Sequence, residues 1–137
     1  MVTDGLGVLS AEVTRVSEQL RRLGHARLAR PLDLALRPTP DPSLPTAPGN
    51  VTGVELEASY PSVADAAHAL AQRLADLAAD AERRTRLPVP RLGDHAVGDQ
   101  VAVTGNDLVA LARAGRLDAD RLDLAVEMLR HLRLALP

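Results

Sequence analysis

A chain of 137 residues, 46% of them apolar, has the size and composition of one soluble domain built round one core. Cysteine, tryptophan and phenylalanine are absent and Tyr60 is the single aromatic residue. Their absence excludes disulfides, thiolate metal sites, cysteine nucleophiles, base-stacking platforms and aromatic cages. The net charge of −2 gives no overall positive field for nucleic acid or an anionic membrane.

All 16 basic residues are arginine. In a chain so rich in Ala, Leu, Arg and Asp this points to a GC-rich bacterial genome rather than to a function. The opening "MVTDGLGVLS" lacks the basic start and apolar stretch of a signal peptide. No apolar run approaches the 18 residues of a membrane span, so the expected location is the cytoplasm.

The first predicted helix carries Leu6, Leu9, Val13, Val16, Leu20 and Leu23 at alternating steps of three and four. Ser10 is its candidate N-cap and Gly24 its candidate end, with Arg21, Arg22 and Arg27 suited to the negative pole of the helix dipole. A further turn or two is expected in "ARLARPLDLALRP". Prolines 38, 40, 42, 45 and 48 then forbid helix and favour an extended connector. "VTGVELEAS" alternates weakly (Val54 and Leu56 against Glu55 and Glu57). With no partner strand in view it reads as an extended arm.

The second long helix starts at Ser62 and Asp65, an S-x-x-D capping pattern. Its apolar face is Val63, Ala67, Leu70, Leu74, Leu77 and Ala81, and its polar face Asp65, Gln72, Asp76 and Arg83. Asp80 and Arg84 are expected to pair at i, i+4. "RLPVPRLG" ends this helix and turns the chain. The third helix lies in "GDHAVGDQVAVTGNDLVALARAG", capped by Asp94 and stopped by Gly115. The fourth starts at Asp118 or Asp120, with Leu122, Ala125, Val126, Leu129, Leu132 and Leu136 inward and Asp123, Glu127 and Arg130 outward.

These segments predict an all-α fold, an antiparallel four-helix bundle with left-handed packing. Residues 1–37 form an N-terminal helical segment, 38–58 a Pro-rich linker and arm, and 59–137 a three-helix core, all in one domain. The inner faces are rich in alanine and bury little area per helix. Self-association would thicken such a core, so at least a dimer is expected.

On the third helix Gly98, Gly105 and Ala112 recur at sevens, within about 40° of one another on the helical wheel, beside Val101 and Leu108. Each interior glycine costs roughly 0.5–1 kcal/mol against alanine, which a closely docked helix would offset. The expected packing and interaction surface is therefore Gly98, Val101, Gly105, Leu108, Ala112, Leu122, Val126 and Leu129. His95, Asp99, Asn106 and Arg113 fall on the opposite side, where His95 and Asp99 form an acid–histidine pair on a solvated helix start. Thr104 is placed to bond back to a carbonyl.

His25, His68, His95 and His131 lie one to each helical segment, off the apolar faces. An up-down bundle puts His25 and His68 near one end and His95 and His131 near the other, so no four-histidine centre is expected. His95, Asp99, Glu127 and His131 could form a two-histidine, two-carboxylate metal site only if the last two helices turned their polar faces together. Phosphate loops, H-E-x-x-H and G-x-S-x-G are missing, as is the W-x-G turn of small helical secretion substrates. Arginines 83, 84, 86 and 91 read as cations at a helix C-terminus.

The leading expectation is a non-enzymatic protein–protein interaction module, self-associating or part of a larger complex, with no cofactor and no membrane. One alternative is a helical regulator contacting nucleic acid through Arg21, Arg22, Arg27 and Arg30 or the 83–91 cluster. Another is a metal-dependent bundle enzyme using His95, Asp99, Glu127 and His131.

Overall fold

The computed structural model describes residues 5–34, 56 and 59–137. The expected Pro-rich linker and most of the arm that follows it lie outside these. The described chain is all-α with one minimal sheet: α1 (Gly5–Arg22), α2 (His25–Leu28), β1 (Leu32–Asp33), β2 (Ser59–Tyr60), α3 (Val63–Ala81), α4 (Val97–Arg113, preceded by a 3-10 turn, Asp94–Ala96) and α5 (Ala119–Ala135). None of the helices is long and apolar enough to cross a membrane.

α1 packs against α4 and α5, and α3 packs against the same two helices. Contacts along their lengths set the directions. A side chain at Gly98 would meet Ser17 and Arg21, and one at Gly105 would meet Val13, so α1 and α4 are antiparallel. Gly5 lies under Leu122 and Glu12 is bonded by Arg133, so α1 and α5 are parallel. Arg91 links Asp65 to Asp94, and Glu82 faces Arg116, so α3 and α4 are parallel.

The parallel pair is a correction to the up-down order, and its cause is the segment "ERRTRLPVPRLG". The sequence predicts a turn there, but the segment runs back along α3 as an extended strap. An extended residue covers about 3.3 Å and a helical one about 1.5 Å, so a strap of about half as many residues as α3 is long enough to return the chain to the helix's start. Gln72 holds it from α3, accepting the Val89 amide at 2.7 Å and donating to the Leu87 carbonyl at 3.1 Å. His68 donates to the Val89 carbonyl at 2.8 Å, and Gln100 of α4 donates to the Pro90 carbonyl.

The strap also explains Asp76. Assigned to the solvated face, it is buried beneath the strap, bonded by Gln72 and paired with Arg73 and Arg86. The apolar faces otherwise fall where their periods place them, with Leu9, Val13, Val16 and Leu20 meeting Leu70, Leu74, Leu108, Leu129 and Leu132 in one core. Each fully buried leucine contributes roughly 1.5–3 kcal/mol. Ala81, Ala112, Leu122 and Leu136 are only half-buried at its edges, while Asp123, Glu127 and Arg130 are exposed.

Ser62 caps α3, its hydroxyl accepting the Asp65 amide, and Asp118 caps α5 likewise through Arg121. Two caps differ from expectation. Ser10 lies inside α1 rather than at its start, and Asp94 sits in the 3-10 turn, its carboxylate bonded by Arg91. The chain leaves α1 just before Gly24, which precedes α2 in extended conformation. The arm's end does have a strand partner: Ser59–Tyr60 pairs antiparallel with Leu32–Asp33 across the linker.

α3 and α4 end alike. Arg116 bonds back to the Leu111 carbonyl around Gly115 at φ 71°, and Arg84 bonds to the Ala79 carbonyl around Arg83 at φ 55°. Both are Schellman ends, but at α3 an exposed arginine holds the left-handed position that costs a side-chain residue roughly 1–2 kcal/mol. Arg83→Gly removes that strain and adds back some unfolded-state entropy. It is expected to stabilise the fold by about 0.5–1 kcal/mol, read as a raised urea midpoint at unchanged slope.

Candidate functional site

Because α4 starts where α1 ends, the chain's most concentrated chemistry gathers at one end of the molecule. There the end of α1, the short α2, the 3-10 turn and the start of α3 come together. Their apolar sides seat Leu23, Leu28 and Val97 in the core, which leaves His25 and His95 exposed on neighbouring turns. The two Nε2 atoms stand 2.8 Å apart. The rings meet edge to face, with centroids 4.0 Å apart and planes at 75°.

Two guanidinium–carboxylate links frame this pair. Arg21 Nε donates to Asp99 at 2.8 Å, tying the last turn of α1 to the first of α4. Arg91 donates to Asp65 and to Asp94, both at 3.0 Å. Burial opposes the Arg91 charge, but the bonds to Asp94 and Asp65 outweigh it and hold the pKa above the ordinary arginine value.

No protein family, curated protein or solved structure matches the chain.

The expected His95–Asp99 pair is replaced: His95 turns to His25 and Asp99 to Arg21. The expectation that His25 and His95 lie at opposite ends fails for the same topological reason that made α3 and α4 parallel. His68 holds the strap, and His131 donates to the Leu34 carbonyl at 3.2 Å, tying α5 to the end of the first segment. His95, Asp99, Glu127 and His131 do not converge. Asp99 meets α1 at Arg21, whereas α5 near His131 meets it at Glu12, about 13 Å back along the helix. Among the described residues no group of three or more His, Asp or Glu side chains is placed to hold a metal ion.

Of the expected packing and interaction surface, the glycine stripe receives a docked helix, α1. Gly98, Val101, Gly105 and Leu108 are buried, the glycines against α1 of the same chain. Val126 and Leu129 are buried in the common core, and Ala112 and Leu122 lie at its margin. Asn106 and Arg113 are exposed, and Thr104 donates to the Gln100 carbonyl at 2.8 Å.

The arginine clusters are mostly matched by carboxylates. Arg22 meets Glu18 and Arg84 meets Glu82. Arg86 bonds Asp80 through both Nε and Nη2 in place of the expected Arg84, and that bond holds the Asp80 carboxyl below its usual range. Arg27, Arg30 and Arg83 are exposed.

Besides Asp76, the sequence gives no expectation for a second buried carboxylate, Glu12. Glu12 is 2% exposed on the inner side of α1, bonded by Arg133 at 2.9 Å and by Arg15 at 3.3 Å. Its signal was present: it stands three residues after Leu9 and four before Val16, on the apolar face itself.

Proposed function

We propose that the four long helices form a bundle, two running each way, that serves as a non-enzymatic protein–protein interaction module, self-associating or seated in a larger complex. The observation that carries this reading is the contrast between its polar and apolar surfaces. The charged groups pair largely with one another, while Val103, Leu134, Leu87 and Leu92 project into water at 62%, 71%, 66% and 52% exposure. Leu87 and Leu92 lie on the strap, which Gln72, His68 and Arg91 fix to α3. Their presentation is therefore ordered, which lowers the entropy cost of docking.

The nucleic-acid reading has less support, because Arg21, Arg84, Arg86 and Arg91 already face carboxylates. Light scattering across a concentration series should show self-association that Leu87→Asp and Leu92→Asp reduce. A monomer at every concentration, with no partner recovered in pull-downs, would sink the proposal.

A further inference from the structure

We propose that His25 and His95 form a two-imidazole chelate for a divalent transition-metal ion of the Cu²⁺ or Ni²⁺ kind, joining α2 to the start of α4. The observation behind it is that two imidazole nitrogens from distant parts of the chain already stand 2.8 Å apart, within hydrogen-bond distance of one another and close enough to share one ion.

The bite then selects the metal. With metal–nitrogen bonds of about 2.05 Å, nitrogens 2.8 Å apart subtend about 86° at the ion. That is close to the cis angle of a tetragonal or octahedral site and well short of the tetrahedral angle zinc prefers. Zinc would need the nitrogens to open by about 0.5 Å. Both imidazoles are exposed, so neither must leave a buried environment to take up an ion. Asp94 and Asp99, the nearest carboxylates in sequence, are held by Arg91 and Arg21. The protein thus supplies two ligands and leaves the remaining positions to water or to a donor from another molecule. His25 and His95 are 70 residues apart in sequence, so the ion clips the N-terminal segment to the core.

Cu²⁺ and Ni²⁺ titrated separately into tag-free protein, followed by calorimetry and thermal melting, test the proposal. One ion per chain should bind saturably and raise the melting temperature, with Cu²⁺ tighter than Ni²⁺. His25→Ala and His95→Ala should each lose the binding, as should His25→Gln and His95→Gln, which keep a polar side chain of similar bulk. Circular dichroism on each variant confirms that the helices persist. His68→Ala/His131→Ala should bind as the wild type does. No saturable binding by the wild type, or binding undiminished in the His25 and His95 variants, overturns the assignment.

Discussion

Replacing Arg133 with methionine is expected to cost the fold about 2–3 kcal/mol, a clear drop in the urea midpoint. The cause is the partner left behind. Glu12 is 2% exposed, and Arg133 supplies its 2.9 Å bond from α5. Breaking a buried ion pair by removing one member typically costs about 3–5 kcal/mol, because the surviving charge stays in a poor solvent. The lower figure applies here since Arg15 still reaches the carboxylate at 3.3 Å, though from an exposed position. Removing both charges reverses most of the loss. Glu12→Leu/Arg133→Leu buries apolar surface where the pair stood and should come within about 1 kcal/mol of the wild type. The double-mutant cycle then yields a large coupling term. If Arg133→Met unfolds at the wild-type midpoint, Glu12 is solvated in solution and the α1–α5 contact is looser than described.

Legibility in the sequence followed the range of the interactions. α3 was readable because its apolar period and its Ser62 cap lie within one stretch of chain. Asp118 and Gly115 were readable for the same reason. The end of α3 was not readable, since the left-handed turn at Arg83 stops it before Arg83 and Arg84, which the period carries on as helix. Pairing between Leu32–Asp33 and Ser59–Tyr60 was not, because two-residue strands carry no period and their partner lies across the linker. The His25–His95 contact depended on helix order, and that order depended on the strap. Prolines 88 and 90 signalled an end to helix equally well for a turn or for a return along α3. The deciding residue was Gln72, whose amide presents a donor and an acceptor to the strap's backbone. On a helical wheel it is one more polar residue on an outer face.

Gly105→Ala should destabilise the protein by about 2 kcal/mol, although alanine is the better helix former by about 1 kcal/mol. A methyl at residue 105 would stand 2.7 Å from both γ-carbons of Val13, against the 3.5–4.0 Å of ordinary carbon contacts. Val13 is buried and β-branched, so its χ1 has essentially one well in a helix and rotation does not clear the space. Overpacking of this kind costs about 1–3 kcal/mol, and a doubled contact belongs at the upper end. Val13→Ala removes both methyls, so Val13→Ala/Gly105→Ala should be more stable than the sum of the single changes by about 2 kcal/mol. Strict additivity would mean that α1 does not seat on Gly105 in solution. The same variant tests how α1 reaches its place, since residues 35–58 separate it from α3. If α1 docks on its own chain, the loss is independent of protein concentration. If it docks on a second copy, the loss grows on dilution and oligomers measured by light scattering fall with it. The glycine is thus the point at which the fold and the oligomeric state can be perturbed by one methyl group.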